Sequence, residues 1–190
     1  MFIKTVRFRA RTGIIAVFTA VVMLAGSLLA KGVPAEPVMD EGIALPIIMY
    51  HGIIKDESRP GTYVVTADEF ESDLKYLKEN GYTTVVVQDL LDYVKKGTPL
   101  PKKPIMLTFD DGFYNNYVYA YPLLQSYGAK MVLSPVGSFT DAFTKSGDKH
   151  AAYSYLNWED IKTMSDSGLV EIQNHTYDLH SLDRSHNGSK

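Results

Sequence analysis

Cysteine is absent from all 190 residues. Its absence excludes disulfides, thiolate zinc sites and a cysteine nucleophile, and leaves histidine and carboxylate as the side chains able to hold a metal. It does not fix a compartment, because exported proteins also lack cysteine. Excess positive charge is missing too. Lys and Arg number 19 against 22 Asp and Glu, a formal net charge of −3. No nucleic-acid partner is expected from such a chain, since that would call for a basic face. Tryptophan occurs once, and no internal repeat or low-complexity tract is present. The remaining composition, 45% hydrophobic and 22% charged, is ordinary for a globular protein. The length suggests one domain with an appendage.

The appendage is at the amino end. Residues 1–12 carry Lys4, Arg7, Arg9 and Arg11 and no acid, and an uninterrupted apolar stretch follows from Gly13 to Ala30. A basic head before such a run predicts a signal peptide or membrane anchor over residues 1–30, with the head in the cytoplasm. The run is longer than a usual signal core and just reaches the ~18 residues of a spanning helix. Cleavage after Ala30 is disfavoured by Leu28, whereas cleavage after Ala35 is tolerated by Val33. A buried core helix is the other reading, and the charge asymmetry speaks against it. The rest of the chain is therefore expected to be exported. Residues 31–44 contain Pro, Gly and acids and read as a linker. The soluble domain is expected over 45–190.

Within that domain, apolar runs alternate with helical patterns. Leu45 to Tyr50 reads as a strand. Thr66-Ala67-Asp68-Glu69 is a capping box that opens a helix burying Phe70, Leu74 and Leu77, with Asn80-Gly81 as its stop. A β-branched strand over 82–87 and a short helix over 88–96 follow. Pro104 to Phe113 reads as a buried strand, because its apolar run is bounded by Pro and Gly. A Tyr-rich helix over 114–127, a strand over 129–133 and a long loop over 134–156 come next. Asn157 caps a helix over 158–167, and a strand over 169–173 ends the pattern. Serial βα units imply an α/β fold with a parallel sheet and right-handed crossovers. About five strands are expected, short of a closed eight-stranded barrel, which takes ~250 residues.

Three strand ends carry side chains fit for a metal or for proton transfer. They are His51, the pair Asp110-Asp111, and the cluster His175-Thr176-Tyr177-Asp178-Leu179-His180. The carboxyl rim of a parallel sheet is where ligands bind. Of two adjacent carboxylates, one can hold a metal while the other takes a proton from water. The same Asp-Asp-Gly can equally be a turn after a strand. His175 and His180 are too far out of phase to share one helical face, so a loop is expected, and Asp178 could orient one imidazole. His51 can be a site residue or a hydrogen-bonded strand end. His150 and His186 read as background. The Tyr-rich run could stack on sugars, although Tyr117, Tyr121 and Leu124 have the spacing of a packed helical face. Trp158, at a first helical position, reads as a packing residue.

Thr108-Phe109-Asp110-Asp111-Gly112-Phe113 resembles the first motif of the polysaccharide deacetylase family, the nodulation-type carbohydrate esterases. Asn174 to His180 resembles its second, metal-binding motif. Ile48-Met49-Tyr50-His51-Gly52-Ile53 and Leu156-Asn157-Trp158-Glu159-Asp160-Ile161 are similar to sequence of the poly-N-acetylglucosamine deacetylase branch. The resemblance covers about residues 45–183. It implies an incomplete distorted (β/α) barrel, TIM-like, and metal-dependent removal of acetyl groups from an N-acetylated polysaccharide of the cell wall or extracellular matrix. It further implies Asp110 as general base and Asp111, His175 and His180 as ligands of a divalent metal, usually zinc. His51 and Asp178, from their positions at the strand ends, are expected as substrate-binding or supporting residues.

Most of the family separates the two histidines by four residues, and the wider spacing seen here belongs to the poly-N-acetylglucosamine branch. The family's later Arg-Pro, Asp-Trp and Leu-x-His motifs do not follow within these 190 residues. The expectation is therefore a truncated domain with impaired activity and an unassigned general acid. A non-catalytic glycan- or metal-binding relic is the alternative. A phosphoesterase ranks last, because no phosphate-cradling loop accompanies the Asp pair.

Overall fold

The computed structural model describes residues 3–8, 42–55 and 61–180. A mostly parallel sheet carries the site. Its strands are β1 (Ile3–Phe8), β2 (Ile43–Tyr50), β5 (Thr83–Thr84), β6 (Pro104–Asp111), β7 (Met131–Pro135) and β8 (Val170–Ile172). The order is β1-β2-β6-β7-β8, with β5 pairing the first residues of β6. A separate two-stranded ladder joins β3 (Gly52–Ile54) to β4 (Val64–Thr66). All pairs are parallel except β1 with β2, where Phe8 faces Ile43 and Ile3 faces Ile48. The basic leading segment thus contributes a strand, which its composition does not suggest. The apolar stretch Gly13 to Ala30, expected to be a signal or anchor helix, lies outside the described residues. Among the described residues no helix is long and apolar enough to cross a membrane.

The central strand shows why the sheet forms. In β6, Ile105, Leu107 and Phe109 enter the main core with Ile48, Met131 and Leu133, while Met106 joins Val86 and Val132 in a smaller cluster. Period-two alternation thus buries both faces, which is the condition of a parallel strand covered on two sides. The main core is completed by α1 (Ala67–Glu79), α3 (Tyr121–Tyr127) and α5 (Trp158–Asp166), through Phe70, Leu74, Leu77, Leu124, Ile161 and Met164. The capping box of α1 is formed: Glu69 N–H donates to Thr66 Oγ1 at 3.1 Å and Thr66 N–H donates to Glu69 Oε2 at 2.7 Å. Asn157 caps α5, accepting from Asp160 N–H at 2.8 Å.

Three elements depart from expectation. The strand over 82–87 shrinks to two residues, because its pairing with β6 covers only Pro104 and Ile105 and helix α2 (Val87–Lys96) starts at once. The Tyr-rich segment opens with a π-helical turn, Asn116–Ala120, before α3. Pro122 lacks an N–H and its ring crowds the carbonyl four residues back, so a widened turn just before it relieves the conflict. The loop over 134–156 contains helix α4 (Gly137–Ser146), ended by Gly147 at φ 70°. Its N-cap, Val136, has no capping side chain, so the usual start signal is missing from the sequence.

Candidate metal centre at the carboxyl rim

Register brings the three strand ends to one level. Tyr50 pairs with Phe109, so His51 follows β2 at the height of Asp110. Asp111 pairs with Pro135, and His175 N–H donates to the Pro135 carbonyl at 3.4 Å. By simple alternation Asp110 and Asp111 would leave opposite faces of β6. Asp111 escapes that rule with φ 69°, in the left-handed region that non-glycine residues rarely occupy, and Gly112 follows at φ 77°. Such strain persists only where surroundings enforce it. Here Val136 N–H donates to the Asp111 carbonyl at 3.2 Å, Leu156 N–H to the Gly112 carbonyl at 2.8 Å, and Tyr114 N–H to the Ser154 carbonyl at 2.8 Å. Gly112 is also sterically required, since a Cβ there would lie 2.8 Å from Pro135 Cβ.

The result is a compact ligand set. Asp111 Oδ1 lies 3.2 Å from His180 Nε2 and 3.5 Å from His175 Nε2, and the two Nε2 atoms face each other at 2.5 Å. Asp111 Oδ1 is buried and accepts no hydrogen bond. A buried carboxylate oxygen without a hydrogen bond is costly unless something else satisfies it. Two imidazoles and one carboxylate are a donor set that zinc uses in catalytic sites with one position left open. Bonds of ~2.0–2.1 Å place tetrahedral donors about 3.3 Å apart, which the two aspartate–histidine edges match. The histidine–histidine edge is tighter, and the half-exposed His180 side chain has room to open it. The residues fit a divalent ion.

Asp110 sits beside this triad, half-buried. Burial raises its pKa, and the neighbouring Asp111 charge adds to the rise, while His175, His51 and His180 pull it back. Their influence on Asp110 puts all five groups in one electrostatic cluster. His51 packs against Tyr63 with ring centroids 5.0 Å apart. Its strand end is fixed by a residue that spacing did not single out: Asn115 Oδ1, buried, accepts from Ile53 N–H at 3.0 Å and ties the His51 turn to the Asp-Asp turn. Asp178 differs from expectation. It accepts from Ser138 Oγ at 3.1 Å, and so ties its loop to the start of α4 instead of orienting an imidazole. Of the background histidines, His150 stacks on Tyr153 and is not one of the converging ligands, and His186 lies outside the described residues.

The sequence profile of polysaccharide deacetylases matches residues 97–188. That stretch belongs to the polysaccharide deacetylase family. It contains Asp110, Asp111, His175 and His180, the residues that converge in space. The poly-beta-1,6-N-acetyl-D-glucosamine N-deacetylase of Escherichia coli K12 is 32% identical over 139 residues, which are 70% of this chain and 20% of that protein. The enzyme of the same name from Staphylococcus aureus is 30% identical over 122 residues, 64% of this chain and 40% of that protein. Among solved structures, a de-N-acetylase from Aggregatibacter actinomycetemcomitans superposes with a TM-score of 0.65 at 31% identity, covering 72% of this chain and 56% of that one. IcaB from Ammonifex degensii superposes with a TM-score of 0.61 at 31% identity, covering 74% and 56%. The chain thus spans between a fifth and two fifths of the length of these curated relatives.

Proposed function

We propose that this domain is a zinc-dependent deacetylase that removes acetyl groups from an exported N-acetylglucosamine polysaccharide. The observation that supports it best is the convergence of Asp111, His175 and His180, with Asp110 beside them, at the carboxyl rim of a parallel sheet. The names of the relatives point to the same substrate class. In this reading the sheet is the described part of a distorted (β/α) barrel.

The reaction adds water to the acetamide carbonyl, breaks the C–N bond, and releases acetate and a free amine. Asp111, His175 and His180 would hold a divalent ion, which would supply Lewis acidity and lower the pKa of water at the site. Asp110 takes the proton from the attacking water. Burial raises its pKa and makes it a stronger base than an exposed carboxylate, while the histidines around it oppose the rise. The departing amine needs a proton. We assign that proton to His51, which follows β2 at the height of Asp110. Export by the basic, apolar leader belongs to the same reading.

Zinc titration of the 190-residue chain by calorimetry tests the site, with Asp111→Asn and His175→Ala expected to weaken binding by at least a hundredfold. Acetate release from N-acetylglucosamine oligomers tests the reaction, with Asp110→Asn expected to abolish it while leaving zinc bound. Tight zinc binding without acetate release would favour a glycan- or metal-binding relic.

A further inference from the structure

One carboxylate holds two exposed aromatic rings beside the metal centre. Asp141, on α4, accepts from the Trp158 indole Nε1–H at 2.8 Å through Oδ1 and from the Tyr177 hydroxyl at 3.2 Å through Oδ2. Trp158 nevertheless stays 45% exposed and Tyr177 65% exposed. Large aromatic surface left in water forgoes the stabilisation of burial, so rings that are exposed and also locked in place call for an occupant.

Tyr177 is locked by more than its hydroxyl. Its ring lies over Gly137, where a Cβ would come within 2.8 Å of Tyr177 Cδ2. Its carbonyl accepts from Ser138 N–H at 2.7 Å, and the Thr176 carbonyl accepts from Gly137 N–H at 3.0 Å. Trp158 is held at the backbone as well, its N–H donating to Thr144 Oγ1 at 3.0 Å. Tyr177 follows the ligand His175 by two residues, and together they line an open depression of about 520 Å³ with Asn174, Thr176, Asp178 and Leu179.

We propose that Trp158 and Tyr177, clamped by Asp141, form a platform for a pyranose ring of the glycan, next to the ring whose acetamide enters the metal centre. This rests on the deacetylase reading and adds a subsite to it. A pyranose offers an apolar C–H face to a flat ring and hydroxyls at its rim. The platform is complementary: two aromatic surfaces bordered by Asn174, Thr176 and the carboxylates of Asp141 and Asp178. Tyr and Trp supply rigid amphipathic area at low entropic cost, and the clamp removes ring freedom before the sugar arrives. A protein partner would favour a continuous apolar patch, whereas here polar groups interrupt the aromatics. Asp141 acts as a positioning residue.

Trp158 is the chain's single tryptophan, so its emission reports on the platform directly. The zinc-loaded chain is titrated with a β-1,6-linked N-acetylglucosamine pentamer, and a folded non-glycan peptide library serves as a second arm. A saturable change in Trp158 emission is expected with the pentamer alone. Tyr177→Ala should weaken binding at least tenfold. Asp141→Asn should weaken it severalfold, and Tyr177→Phe, which keeps the ring and loses only the tie, should do the same. Asp141→Asn should retain zinc affinity, which separates loss of the platform from loss of the fold. Unchanged pentamer affinity in both Tyr177→Ala and Asp141→Asn would overturn the platform, as would failure of the wild-type chain to bind. Acetate release together with unchanged affinities would leave the deacetylase reading standing and remove only the subsite. A response to peptides and not to the pentamer would reassign the surface to a protein partner.

Discussion

At the scale of single residues, the site depends on two that sit under constraint. Asp110 has its pKa raised chiefly by burial. Its ionised form is thus disfavoured in the folded chain, and the sign of the linkage follows. Below the unfolded carboxylate pKa the group is protonated in both states and costs nothing. Above the raised folded pKa it is ionised in both, and the native state carries the penalty. Asp110→Asn should therefore raise the melting temperature of the metal-free chain at pH 7, with the gain vanishing as pH falls through the carboxylate range. Thermal melts of both chains from pH 3 to pH 8 check this, and a gain that grew toward acid would contradict it. Gly112 is constrained twice, by φ 77° and by contact with Pro135. A left-handed conformation costs a non-glycine residue about 1–2 kcal/mol, and the clash adds to it. Gly112→Ala should lower stability by about 2–3 kcal/mol in urea titration and weaken zinc binding with it, since Asp111 is aimed by the same turn.

Among elements, the segment between α4 and α5 matters most, because its backbone pins the Asp-Asp-Gly turn through Ser154 and Leu156. Its own anchor is ionic. Lys149 Nζ donates to Asp160 Oδ1 at 2.7 Å, and the Asp160 side chain is 5% exposed. Asp160 Oδ2 has no hydrogen-bond partner, so the carboxylate depends on that lysine. Removing one partner of a buried pair leaves an uncompensated charge and can cost 3–5 kcal/mol. Lys149 is 39% exposed, and water will cover part of the loss, so Lys149→Met should cost about 2 kcal/mol. Hydrogen exchange should quicken at the amides of Leu156 and Tyr114. Unchanged exchange there would show that the loop is held by its aromatic contacts alone, in which Tyr155 stacks on Phe113 at 4.8 Å.

For the whole molecule, strand β1 and the leader bear on each other. Phe8 pairs with Ile43, so residues 9–42 leave and return at one point of the sheet. A single membrane pass by Gly13 to Ala30, with the basic head in the cytoplasm, would put Ile3–Phe8 and Ile43–Tyr50 on opposite sides of the bilayer. Pairing of β1 and single-pass insertion therefore exclude one another. A chain without cysteine allows a clean test, because an introduced thiol is the only one present. In membranes from expressing cells, pairing of β1 with β2 requires Lys4→Cys and Glu79→Cys to be labelled from the same side. Labelling of Lys4→Cys from the cytoplasmic face alone, with Glu79→Cys labelled only from outside, would show instead that β1 leaves the sheet and the leader crosses the bilayer.

Local chemistry was written in the sequence wherever a signal acts on its own neighbours. The capping box at Thr66, the Asn157 cap, the glycine stop at Gly81 and the burial of the strand Pro104–Asp111 were all legible. So were the candidate ligands Asp111, His175 and His180, because motif and strand-end position coincide. Helix α4 was not, since a Gly start and an uncapped Val136 carry no local signal. The left-handed φ of Asp111 escaped for a related reason, since hydrogen bonds from Val136 and Leu156, distant in sequence, hold its turn. The π-helical turn answers instead to the nearby Pro122. Asn115 and Asp141 were likewise invisible as site residues. An asparagine that holds a strand end 62 residues away, or an aspartate that clamps rings 17 and 36 residues away, becomes meaningful only once the chain has folded. Sequence thus decided which chemistry the chain can perform, because side-chain type is local. Tertiary structure decided which groups meet and how rigidly, because register, burial and long-range hydrogen bonds arise only from packing.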